Sequence, residues 1–209
     1  MKITTVIVTR SKSCSVKTLH TILKLNIQCI QRNIKNEIIY VNDDPFEKVD
    51  TVQRCLPNCD RLFFIDFGIN VDEESIAQIF ENHEGLGVLV FPGVREGIDW
   101  NLFERKVKEG SEEPIHQMGM NFDTEVDRKI SKDIYTVTNT EAKSWVMFPK
   151  NVIKSIKDKK GDWKIYPKMF EKFKESGVKI YAFTAAKLII TYPHECISNI
   201  LNAAGVQKG

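Results

Sequence analysis

The sequence predicts an α/β fold in which a mainly parallel sheet is covered by helices on both faces. Three observations predict it. The apolar runs "ITTVIV", "EIIYV", "RLFFI" and "GVLVF" lack the alternation of half-exposed strands and read as strands buried on both sides. Segments of helical period stand between some of them, and the acids and bases gather just after the runs rather than within them.

The first run ends at Thr9 and gives way to the polar loop "TRSKSCS". From Ser15 onward Val16, Leu19, Leu23, Ile27 and Ile30 fall at helical spacing, the pattern of an amphipathic helix that Ser13 or Ser15 would cap. "EIIYV", residues 37 to 41, is a second strand that ends at Asn42, Asp43 and Asp44. "RLFFI", 61 to 65, is a third and stops at Asp66. A helix begins at "VDEESIAQIF", where Asp72 caps and Glu73 and Glu74 sit at the positive end of the dipole. "GVLVF" is the fourth strand.

Residues 93 to 133 are polar and dotted with glycine, and read as long connections that cover or build a site. Strand patterns return at "IYTV" and "SWVMF", followed by the short helix "PKNVIKSI" with its early proline. "GDWKIYPKMFEKFKESG" reads as an amphipathic segment with a glycine stop, "VKIYAF" and "KLIIT" as strands, and "PHECISNILNAAG" as a closing helix.

Composition narrows the function classes. Thirty basic and 28 acidic side chains nearly cancel over 209 residues, so the whole-molecule field gives no reason to expect nucleic acid as a partner. No apolar run approaches a membrane span, and "MKITTVIVTR" is too short and polar for a signal peptide, so a soluble cytoplasmic chain is expected. Five irregularly spaced cysteines suit reduced thiols; Cys55 and Cys59 have no second Cys/His pair with which to hold zinc.

In open α/β sheets ligands bind beyond the carboxyl ends of the strands. The residues at those ends are Arg10 and Lys12, then Asn42, Asp43 and Asp44, then Asp66. Cations beside a helix N-terminus suit a phosphate, and the acids suit a hydroxylated ring or a divalent metal. Arg10 and Lys12 also fit as solvated loop cations, and Asp43 and Asp44 as turn formers before Pro45. Asp66 is more telling, because a carboxylate that ends an apolar run must be paired, hydrated or metal-bound.

A short first strand, basic loop, helix, second strand ending in acids, and then "IDFGINVD" before a capped helix together resemble the GT-A glycosyltransferases, whose signature is Asp-x-Asp after an apolar strand. Asp66 matches the first acid, and Gly68 stands where the second would be. "GDWKIYPKMFEKFKESGVKIYAF" resembles the family's acid that opens a helix leading into a strand, which puts the general base of an inverting enzyme on Asp162, with Asp99 of "EGIDW" a second candidate. "LIITYPHE" supplies the family's late histidine as His194.

The resemblance implies one GT-A domain over residues 1–209, with a nucleotide-binding half over 1–92 and an acceptor-binding, catalytic half over 93–209. It implies a UDP-sugar donor at Thr9, Arg10, Lys12, Asp43, Asp44, Asp66, Phe67 and Gly68, and manganese or magnesium at Asp66, Gly68 and His194. The acceptor would be a glycan or glycoprotein. "VTRSKSC" and "DFG" look most like the compact transferase domains of large chlorella viruses, which build capsid glycans and can precede further domains. A nucleotidyltransferase of related fold and a non-catalytic nucleotide-sugar-binding module are the alternatives.

Overall fold

The computed structural model describes residues 1–184 apart from positions 84, 96, 113, 114, 116, 117, 159 and 164. The expected strand "KLIIT", the closing helix, and His194 with it lie outside the described residues.

In chain order the elements are β1 (Lys2–Thr9), α1 (Val16–Gln31), β2 (Lys35–Asn42), α2 (Pro45–Cys55), a 3-10 turn (Leu56–Asn58), β3 (Arg61–Ile65), α3 (Glu73–Gln78), β4 (Val88–Val90), α4 (Trp100–Lys108), β5 (Thr124–Ser131), β6 (Ile134–Thr140), β7 (Ser144–Met147), α5 (Pro149–Val152), α6 (Met169–Glu175) and β8 (Ile180–Phe183). One eight-stranded mixed sheet has the order β2-β1-β3-β7-β4-β8-β6-β5. Its parallel pairs are β1 with β2, β1 with β3, and β4 with β8. β7 runs antiparallel between β3 and β4, and the β5–β6 hairpin adds antiparallel pairs beyond β8.

The apolar runs of β1, β3 and β4 are buried on both faces, as their lack of alternation required, whereas "EIIYV" in β2 is a sheet edge with only Val41 buried and Tyr40 61% exposed. On one face Val6, Val8, Phe64, Trp145 and Phe173 share a core, and on the other Ile3, Ile7, Phe63, Phe91 and Val146 share a second. Successive residues Phe63 and Phe64 thus anchor opposite layers, each phenyl worth about 1.5–3 kcal/mol of burial. Trp145 stacks on Phe64 with ring centroids 5.0 Å apart and meets Phe170 and Phe173 edge-on.

Helix α1 is present, but the stripe Val16, Leu19, Leu23, Ile27 and Ile30 faces outward, from 45% exposed at Leu19 to 81% at Val16. The packed face is Thr18, Thr21, Ile22, Leu25 and Cys29. The threonines are buried because their hydroxyls bond the loop after β3: Thr18 donates to the Ile69 carbonyl, and Thr21 accepts from the Val71 amide.

The described residues of the range 93 to 133 include regular elements that its composition does not suggest. Asp99 caps α4, which opens at Trp100, and the polar strand β5 is a sheet edge whose charged side chains protect it from further pairing. Helix α2, which the apolar pattern does not announce, is capped by Asp44 with Pro45 at its first position.

Candidate functional site

Strands β1, β2 and β3 run the same way, so their carboxyl ends open onto one edge. After Thr9 the chain makes a tight turn closed by Arg10–Ser13 backbone bonds of 3.2 and 2.9 Å, with Ser11 and Lys12 both left-handed at φ 50° and 60°. Two consecutive left-handed residues are the geometry of a type I′ turn, which costs non-glycine residues about 1–3 kcal/mol each. After β2, Asp44 accepts from the amides of Phe46 and Glu47 at 3.0 and 2.8 Å, which starts α2. Helical side chains lean toward the N-terminus, so Lys48 in the first turn of α2 reaches back over the strand ends.

There four charges meet. Arg10 Nε donates to Asp43 Oδ2 at 2.7 Å, and Lys48 Nζ donates to Asp43 Oδ1. The same ammonium lies 3.7 Å from Asp66 Oδ2, with both side chains only 16% exposed. The hydrogen bond from Lys48, aided by Arg10, holds the Asp43 carboxyl below the usual carboxylate range despite some burial. Asp66 Oδ1 accepts from its neighbour's amide at 2.7 Å, and the Arg10 guanidinium sits 5.2 Å from the Phe67 ring centroid. Gly68 turns the chain at φ 82° while its amide donates to Thr18 Oγ1 at 3.1 Å.

Two clefts open at this edge. An inner one of about 500 Å³ is lined by Lys48, Asp66, Lys143, Trp145, Glu171 and Lys174 among others. An outer one of about 750 Å³, over the ends of β1 and β2, is lined by Thr9, Lys12, Asn42, Glu47, Asp50 and Arg54 among others. Of the expected nucleotide-sugar residues, Thr9 and Lys12 line the outer cleft, Asp66 the inner one, and Arg10 and Asp43 belong to the charged network. Asp44 is the cap of α2.

The two expected catalytic acids stand elsewhere. Asp99 caps α4, accepting from Leu102 N at 2.9 Å and Asn121 Nδ2 at 3.1 Å; these bonds hold its carboxyl below the usual range. Asp162 does not open a helix. It is exposed in a turn where its amide donates to Asp158 Oδ1 at 2.9 Å, and α6 begins only at Met169. The acid in the first turn of α6 is Glu171, which does line the inner cleft.

Lys48, Glu171 and the buried Asp123 escape the sequence reading. Lys48 could have been found from "DDPFEK", once Asp44-Pro45 is taken as a helix start. Asp123 is 6% exposed. It accepts from Gly93 N at 3.0 Å and Thr124 Oγ1 at 2.8 Å, and burial pushes its carboxyl up. A Cβ on Gly93 would lie 2.9 Å from Asp123 Oδ2, so any larger residue there would press on the carboxyl that its own amide bonds.

Among the described residues the donor set for the divalent cation that the resemblance implies is not assembled, and His194, the third expected ligand, lies outside them. Among the described residues no three His, Cys, Asp or Glu side chains converge. Gly68 offers no side-chain ligand, and the free face of Asp66 is turned to Lys48 rather than to a second carboxylate.

No family model matches the chain, and no curated protein matches it by sequence. Among solved structures of similar shape is a mutant of Drosophila β-1,4-galactosyltransferase 7 in complex with manganese, UDP-Gal and xylobiose, at TM-score 0.44 and 11% identity. The overlap covers 90% of this chain and 66% of that one. At that level of likeness no residue assignment follows from it.

Proposed function

We propose that the chain is a GT-A-type glycosyltransferase that moves a sugar from a UDP-sugar to a hydroxyl of a glycan. The observation that carries this reading is the Arg10–Asp43–Lys48–Asp66 network at the carboxyl edge of β1, β2 and β3, with a cleft on either side of it. The outer cleft has the polar lining a nucleoside needs, and Lys12 on its strained turn adds positive charge for phosphate. The inner cleft combines the aromatic wall of Phe64, Trp145 and Phe170 with Asp66 and Glu171, a lining suited to sugar rings. The acceptor glycan of a viral capsid protein is proposed on the resemblance of "VTRSKSC" and "DFG".

In this reading the bond between the sugar's anomeric carbon and the diphosphate breaks, and its electron pair leaves with the diphosphate. The acceptor oxygen forms the new bond and gives its proton to a carboxylate of the inner cleft, a role that Glu171 is stationed to fill. Asp66 orders the cations at the junction between the clefts.

The test is a panel of UDP-sugars incubated with glycan acceptors, scoring UDP release and product mass. Sugar transfer that disappears in Asp66→Ala is the expected result. Release of pyrophosphate from UTP with a sugar phosphate would instead assign the nucleotidyltransferase alternative, and UDP binding without turnover the binding module.

A further inference from the structure

Lys48 is the group at this site that the sequence pattern does not supply, and its placement bears on the mechanism proposed above, on which this inference rests. Its ammonium carries three donor protons. Asp43 takes one and Asp66 faces another at 3.7 Å, while the side chain also lines the inner cleft, so the third proton can meet an incoming acceptor oxygen. The local charges already balance: Arg10 and Lys48 supply two positive charges against the two negative charges of Asp43 and Asp66. A divalent cation approaching Asp66 would find the carboxylate compensated and would have to drive a largely buried ammonium away from both its partners. A diphosphate has to displace neither pair: it needs only the Lys48 proton that neither acid holds, on an ammonium that the two acids keep at fixed aim.

We propose that Lys48 is the cation that binds the donor diphosphate and takes up the negative charge growing on it as the anomeric C–O bond breaks. Asp43 and Asp66 are its positioning residues, and donor binding proceeds without a divalent metal. The acceptor's proton still leaves to a carboxylate, so the step balances with no further reactant.

The experiment is calorimetric titration of the full chain with UDP, in EDTA and then in manganese, with melting curves alongside. The expected result is equal affinity in the two buffers to within about threefold. Lys48→Met is expected to weaken UDP binding by about tenfold or more, and Lys48→Arg to recover most of the loss. Asp66→Asn, which releases the ammonium from one partner, is expected to weaken binding less than Lys48→Met. UDP binding that requires manganese overturns this inference and leaves the glycosyltransferase reading standing. UDP binding in neither buffer overturns both. The comparison of buffers uses the native chain, so it decides the matter even where Lys48→Met fails to fold.

Discussion

The hydroxyl of Thr18 accepts a hydrogen bond from the amide of Gly68 at 3.1 Å, tying α1 to the turn that carries Asp66. The same hydroxyl donates to the carbonyl of Ile69 at 3.2 Å, so one buried side chain closes both sides of the turn. Thr18→Val keeps the shape and removes both bonds. It should lower stability by about 1–3 kcal/mol, read as a drop in urea midpoint at unchanged m-value. If Asp66 is aimed by this turn, UDP affinity should fall as well.

Asp44 separates a structural role from a binding role. Asp44→Ala removes the side-chain acceptor of the Phe46 and Glu47 amides and should cost about 1 kcal/mol. Asp44→Ser restores the cap and should return the melting temperature to near the native value. UDP affinity that returns with it identifies Asp44 as a cap alone; affinity that stays low restores a direct nucleotide contact.

The two acids of the C-terminal half make opposite predictions. Glu171→Gln should reduce kcat by about a hundredfold or more while UDP affinity stays within about twofold, because the proton acceptor is lost and the donor site is untouched. Asp162→Asn, in an exposed turn, should leave kcat near native. The reverse pattern would return the base to Asp162.

Asp123 should leave a signature in the pH dependence of stability. Burial raises its folded pKa above the ordinary value of 3.8, so the folded state holds the proton more tightly than the unfolded chain does. Its contribution is therefore full below the ordinary carboxylate range and is lost as pH rises through the raised value. The depressed carboxyls of Asp43 and Asp99 act in the opposite sense, so the fall is read as the difference in urea midpoint between the native chain and Asp123→Asn, which should decline from about pH 3 to about pH 7. Asp123→Ala, which strands the Gly93 amide, should cost about 1–3 kcal/mol throughout.

Strands β1, β3, β4 and β7 were legible because burial on both faces leaves an apolar run, while β2, β6 and β8, only partly buried, were legible from their β-branched and aromatic residues. Helix α1 was legible as a helix but not in its orientation. Periodicity shows that a stripe exists, whereas the choice of Thr18 and Thr21 for the buried face depends on a loop some fifty residues later that needs their hydroxyls. Asp66 was found because a charge at the end of a buried strand has to be answered. What answers it, Lys48, lies on a helix whose apolar residues Val49, Val52 and Cys55 are too few to announce it. The helix expected to open at Asp162 was misplaced because an acid beside glycine looks like a helix cap, whereas the helix starts at Met169.

Strand β7 lies between β3 and β4, pairing Phe64 with Trp145 on one side and Val88 with Met147 on the other. During synthesis, therefore, the apolar residues 62–65 of β3 lack their β7 partner until residues from Ser144 onward have left the ribosome. The nascent chain carries an open strand edge through about eighty residues of translation, since 144 less 65 is 79 between the paired Ile65 and Ser144. Yield of soluble protein should accordingly respond to translation speed, temperature and holdase chaperones more than its finished stability would suggest.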